Sequence, residues 1–159
     1  TQSQQEAIQI ITSDFGGDEV SVDLVAASRP DVFNHNLETV PRLYATVRPQ
    51  AVYTRSLRVL ERVSETLPGI PTKSGLMLGL GEGYDEIVAV MRDLRAHGVS
   101  MLTMGQYLRP SPAHLPVAEF VEPSVFVALA KDAYRLGFSA VASAPFVRSS
   151  YHASELAGD

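Results

Sequence analysis

Short apolar runs alternate along this chain with amphipathic stretches of helical period, joined by turns that contain glycine, and this order constrains the fold more than any other feature. Ile8-Gln9-Ile10-Ile11-Thr12 is a β-branched run that ends at the turn-like Asp14-Phe15-Gly16-Gly17. Residues 20–27 place Val20, Leu24 and Val25 on one helical face, and Arg29-Pro30 ends that helix before a strand over residues 31–34. Val40, Leu43, Tyr44 and Val47 predict a helix over residues 39–47. Leu57, Leu60 and Val63 predict another over residues 53–67, separated from the first at Arg48-Pro49.

The mostly apolar run 70–80 suits a buried strand, with its turn at residues 79–83. Ile87, Val88, Met91 and Leu94 form the clearest helical stripe, over residues 84–97, and Gly98 fits its C-terminal cap. A strand over 99–108, a Pro-rich loop, a helix over 123–136 closed by Gly137, and a last apolar run over 138–146 complete the order. About four such alternations with short connections predict parallel βαβ units in one α/β domain covering residues 1–159. Right-handed crossovers then gather the C-terminal ends of the strands on one face, where α/β proteins bind ligands.

Composition narrows the function. The formal net charge is -5 and no basic run is present, which argues against nucleic acid as a partner. No apolar stretch approaches the roughly 20 residues of a membrane span, and the first residues lack the layout of a signal peptide, so the cytosol or an organelle matrix is expected. The chain has no cysteine, which removes disulfides, thiolate nucleophiles and all-cysteine iron-sulfur sites from its own repertoire.

Polar clusters fall at strand ends. Asn34-His35-Asn36-Leu37-Glu38 offers amides, an imidazole and a carboxylate to a ligand with hydroxyl and amine groups, or else Asn36 caps the next helix and the others are solvated. Lys73, between Thr72 and Ser74, interrupts an apolar strand. It suits a Schiff base, a carboxylate anchor, or a lysine reaching for the rim. Gly79-Leu80-Gly81-Glu82-Gly83 is rich enough in glycine for close backbone approach, but fits neither the dinucleotide nor the P-loop spacing. Gly105-Gln106-Tyr107-Leu108-Arg109 ends the next strand. Arg148-Ser149-Ser150-Tyr151-His152 gives no nucleophile elbow, so serine catalysis is not expected.

Taken in order, the stretches Pro30 to Arg42, Thr72 to Glu82, Met101 to Leu108 and Pro145 to Ala153 resemble lipoyl synthases, members of the radical S-adenosylmethionine (SAM) enzymes. The resemblance covers most of the chain and implies the C-terminal part of a radical SAM barrel, a partial TIM-type (βα) barrel of mostly parallel strands, with a C-terminal motif and tail over residues 147–159. It implies insertion of two sulfurs at C6 and C8 of an octanoyl-lysine on a lipoyl-carrier domain or the glycine cleavage H protein. SAM and two 4Fe–4S clusters are the family's cofactors. By the same resemblance Asn36, Glu38, Gly75, Met77, Gly79, Glu82 and Gln106 contact SAM, Lys73 lines the same pocket, Arg148 lies beside the auxiliary cluster, and Ser149 or Ser150 ligates that cluster. The family's CxxxCxxC and CxxxxCxxxxxC motifs are absent, so the chain alone is expected to hold no cluster and to form no radical. A cysteine-free barrel enzyme with a Schiff-base Lys73, and a non-catalytic module that binds SAM or the carrier protein, are the alternatives.

Overall fold

The computed structural model describes residues 7–149, which form five strands and five α-helices. In chain order these are β1 (Gln9–Ile11), α1 (Glu19–Ala27), β2 (Val32–Asn34), α2 (Tyr44–Val47), α3 (Tyr53–Thr66), β3 (Thr72–Leu78), α4 (Tyr84–Ala96), β4 (Met101–Gln106), α5 (Pro123–Arg135) and β5 (Ala140–Ser143). Every neighbouring pair is parallel, and the order across the sheet is β1-β2-β3-β4-β5. Because the order never reverses, crossovers of one hand stack all the helices on one side of the sheet. That is the winding of a barrel wall rather than of a doubly wound sheet.

The boundaries follow from local chemistry. Asp18 opens α1 by accepting from the Val20 N–H at 3.1 Å and the Ser21 hydroxyl at 2.6 Å. Glu86 reaches back to the Gly83 N–H at 2.9 Å to open α4, and Gly98, at φ 82°, closes it. Pro123 stands in the first turn of α5, and Gly137 follows its end at φ 101°. The helix expected over residues 39–47 is mostly absent. Val40 precedes Pro41 and is extended, a 3₁₀ turn fills Pro41–Leu43, and only Tyr44–Val47 is α-helical before Arg48 is forced out of the helical region by Pro49. The strand expected over residues 70–80 is trimmed to Thr72–Leu78, with Pro71 before it and Gly79, at φ 100°, after it.

Parallel register places paired residues on a common face, and the two faces differ in chemistry. Phe33, Leu76, Leu78, Leu102 and Met104 join Leu60 and Val63 of α3, Met91 and Leu94 of α4, and Phe126 and Leu129 of α5 in one core on the helix side. The opposite, inner face carries Gln9, Asn34, Lys73, Gly75, Thr103 and Gly105 together with the apolar Val32, Met77 and Met101. Residues 144–149 fold back as a strap over that inner face: Ala144 N–H donates to Met104 O at 3.2 Å, and Gln106 N–H to Pro145 O at 3.0 Å. Among the described residues no helix is long and apolar enough to cross a membrane.

Candidate functional site

Strand β2 pairs Asn34 with Lys73, leaves the ladder, and rejoins β3 where Glu38 bridges Leu76. Four steps along this segment therefore span three along β3, which is a β-bulge. Its cost is visible at Glu38, a non-glycine residue at φ 69°. Two bonds hold it there, Glu38 N–H to Gly75 O at 3.0 Å and Met77 N–H to Glu38 O at 2.8 Å. Arg48 Nη1 donates to Leu37 O at 3.1 Å and to the Tyr44 hydroxyl at 3.1 Å, and Tyr44 donates to the same Leu37 carbonyl. The bulge thus buries Leu37 in the core while Asn36 and Glu38 line one cavity.

That cavity, of about 210 Å³, sits at the C-terminal ends of β2, β3 and β4 and under the strap. Asn36 and Glu38 form one wall, Gly75, Leu76 and Met77 the floor from β3, Thr103, Gly105 and Gln106 the floor from β4, and Leu108 with Val147, Arg148 and Ser149 the far side. Two glycines keep it open. A Cβ on Gly75 would stand 2.8 Å from both Asn36 Oδ1 and Thr103 Oγ1, and one on Gly105 would run into the Val147 carbonyl. Burial pushes the Glu38 carboxyl above its ordinary value, with nearby Arg48 and the Asn36 amide pulling the other way. Arg148 spends one donor on its own Val147 carbonyl at 2.8 Å and presents the rest of its guanidinium at the cavity edge.

Several expectations need correction. Lys73 does not line the cavity and does not reach for the rim: it is fully buried, with Nζ 2.9 Å from Gln9 Oε1 and 2.7 Å from Ser149 O. Burial pushes its ammonium down to about 8. Glu82 also lies outside the cavity lining, because its carboxylate accepts the Gly79 N–H at 2.6 Å and the Leu80 N–H at 3.0 Å. Two backbone N–H groups of the glycine-rich loop are therefore engaged from within the loop itself. Gly79 is needed for packing, since a Cβ there would meet the Gln106 amide and the Glu119 carbonyl. Gln106 reaches the cavity but both ends of its amide are engaged, Nε2 with Tyr107 O and Glu119 O, and Oε1 with Val121 N–H.

Asn36 caps no helix; its Oδ1 accepts from Asn34 Nδ2 at 3.0 Å. His35 is buried away from the cavity with Nδ1 2.9 Å from Thr12 O, and burial holds its pKa below the usual imidazole value. Ser149 lies at the cavity, whereas Ser150 falls outside the described residues, as does the tail beyond it. Sequence reasoning did not single out Thr103, Val147, Tyr44 or Arg48. The first two are brought in by strand register and the strap, and the last two act on the bulge, so no local pattern marks any of them. Among the described residues no group of three or more His, Asp or Glu is placed to hold a metal ion.

No family model matches the chain. It is 58% identical over 158 residues to a lipoyl synthase of Methylococcus capsulatus, an alignment covering 99% of this chain and 49% of the relative. It is 60% identical over 147 residues to one of Syntrophotalea carbinolica, covering 92% and 48%, and 56% identical over 153 residues to one of Rubrobacter xylanophilus, covering 96% and 48%. The chain spans about half the length of the curated relatives it matches. Among solved structures, the radical SAM methyltransferase TsrM from Kitasatospora setae superposes with a TM-score of 0.52 at 19% identity, over 69% of this chain and 22% of that one. A 2,3-dimethylmalate lyase of the PEP mutase/isocitrate lyase superfamily superposes with a TM-score of 0.51 at 14% identity, over 82% and 44%. These two likenesses speak for the fold. With relatives more than half identical across nearly its whole length, the chain belongs to the lipoyl synthase family.

Proposed function

We propose that this chain forms the SAM-facing wall of a lipoyl synthase that inserts sulfur at C6 and C8 of an octanoyl-lysine carried by a lipoyl domain or the glycine cleavage H protein. The observation that carries this reading is the bulge that turns Asn36 and Glu38 together into a cavity floored by Gly75. The donor set suits SAM. Asn36 and Glu38 offer an amide and a carboxylate to ribose hydroxyls or an ammonium, and the bare Gly75 backbone lets a flat ring lie close to the sheet. Met77 adds an apolar contact beside it. When bound and reduced, SAM supplies a 5′-deoxyadenosyl radical that takes hydrogen from an unactivated carbon. The chain's own share is to orient that ligand and to exclude water around it, with the strap as cover.

The iron-sulfur clusters do not fit this chain alone. It has no cysteine, and Ser149 offers a single hydroxyl where a cluster needs several ligands. The cluster cysteines then belong to the remainder of the longer protein, consistent with a chain half the length of its relatives. A cavity of about 210 Å³ also falls short of the roughly 300–1,000 Å³ usual for small-molecule sites, as one wall of a larger site would. The Schiff-base alternative finds no support, because Lys73 Nζ is sealed from the cavity and engaged by Gln9 and Ser149.

In the longer protein, Glu38→Gln combined with Asn36→Ala is expected to weaken SAM binding about 30- to 100-fold, as loss of hydrogen bonds to a charged group implies, with cluster iron content unchanged. SAM affinity equal to that of the parent protein, measured by calorimetry, would sink the assignment. Affinity of the unmodified chain alone in the low micromolar range would favour the binding-module reading.

A further inference from the structure

We propose that Lys73 is a positioning residue, whose ammonium clasps the Ser149 carbonyl and the Gln9 amide and so fixes the strap, with Arg148, over the cavity. This deepens the reading of that cavity as the SAM wall, and rests on it. A lysine on a central strand, fully buried, needs polar partners to offset its lost hydration. It finds them far away in sequence. Nζ donates to Gln9 Oε1 at 2.9 Å and to Ser149 O at 2.7 Å, while Gln9 Nε2 donates to the same Ser149 carbonyl at 3.1 Å. Three groups from β1, β3 and the strap thus close a triangle of hydrogen bonds on the inner face of the sheet.

Among the described residues the strap has two anchorages. Its near end is bound to β4, through Ala144 N–H to Met104 O and Gln106 N–H to Pro145 O, with Val147 O pressed against Gly105. Its far end is held at Ser149 by the clasp. Arg148 lies between them, and among the described residues its guanidinium makes one hydrogen bond, to the neighbouring Val147 carbonyl. The position of Arg148 at the cavity is therefore dictated by the backbone on either side of it. Removing the clasp frees one side.

Trypsin reads this directly, because cleavage after Arg148 requires the strap to lift from its seat, whereas cleavage after Lys131, within α5, requires the helix layer to open. In the full chain, Lys73→Met is expected to speed cleavage after Arg148 about tenfold, the effect of losing a charged hydrogen bond, and to leave cleavage after Lys131 unchanged. Gln9→Leu should speed the same bond by less, and Lys73→Arg should restore part of the protection. An unchanged rate after Arg148 in Lys73→Met, or equal acceleration at both bonds, overturns the proposal. In the longer enzyme Lys73→Met should lower kcat with SAM affinity intact, and lost affinity with kcat intact also overturns it. If the parent enzyme itself fails to bind SAM, the cavity reading falls while the proteolysis result still decides the clasp.

Discussion

On its outer face the sheet presents Phe33, Leu76, Leu78, Leu102 and Met104 to the helices, whereas on its inner face the same strands present Asn34, Lys73, Gly75, Thr103 and Gly105 to a short strap. Both faces are largely buried, so exposure does not separate them. Partnering does. Outer residues are held by apolar area and dispersion, which any side chain of suitable volume supplies. The polar inner residues are held by particular atoms, Ser149 O for Lys73 and Asn36 Oδ1 for Asn34, and the two inner glycines stand where a Cβ would strike Asn36 Oδ1 and Thr103 Oγ1 or the Val147 carbonyl. The outer face makes the sheet stable, and the inner face makes one cavity.

The sharpest break should come on the outer side. Phe126 on α5 is wholly buried in the helix-side core, and Phe126→Ala removes a ring that no neighbour can replace. A loss of about 3–5 kcal/mol is expected in denaturant unfolding, enough to unfold a marginal chain. If the loss is under about 1 kcal/mol, the outer layer is not the seat of stability and the contrast collapses. On the inner side the largest effect should come from adding atoms. Gly105→Ala drives a methyl at the Val147 carbonyl and displaces the strap, at an expected 1–3 kcal/mol, about the cost of overpacking. Faster trypsin cleavage after Arg148 should accompany it, and a stable Gly105→Ala chain with the strap still seated would sink the close-approach account.

The two faces also differed in how far the sequence disclosed them. The helices that cover the outer face repeat at helical spacing, so Ile87, Met91 and Leu94 mark α4 in the sequence, and Gly98 and Gly137 mark the ends of two helices. Helix 39–47 failed because two prolines, Pro41 and Pro49, overrode an apolar spacing that looked helical. The inner face was legible only as residue types. Lys73 stood out in an apolar strand, but its partners Gln9 and Ser149 lie at opposite ends of the chain, and nothing local links them. Asn36 and Glu38 stand out as part of a polar cluster at a strand end and the resemblance adds SAM as their ligand, while the extra residue that turns them inward is a matter of strand register. Glu82 is placed at SAM by the resemblance alone, and no local pattern shows that its carboxylate accepts the Gly79 and Leu80 N–H groups of its own loop.

The smallest expected effect has the opposite sign and separates the faces most cleanly. Glu38 is half-buried, at φ 69°, and burial raises its carboxyl pKa above 4.5 despite Arg48 and Asn36. A carboxyl raised in the folded state binds its proton more tightly there than in the unfolded chain, so stability falls as pH rises above 4.5 and levels off once the folded group has ionised. Glu38→Gln removes that term. Its melting temperature should match the parent chain below about pH 4 and exceed it by a few degrees at most near neutrality, in a pair of thermal scans across pH. No outer-face residue should behave this way, since Phe126 and Leu102 carry no charge to desolvate. The same variant, with Asn36→Ala, is the one expected to lose SAM, so a gain in stability alongside a loss of binding would mark Glu38 as a side chain kept for its ligand. If Glu38→Gln melts lower than the parent chain at neutral pH, the carboxylate is stabilising the bulge, and the inner face is built for folding as much as the outer one.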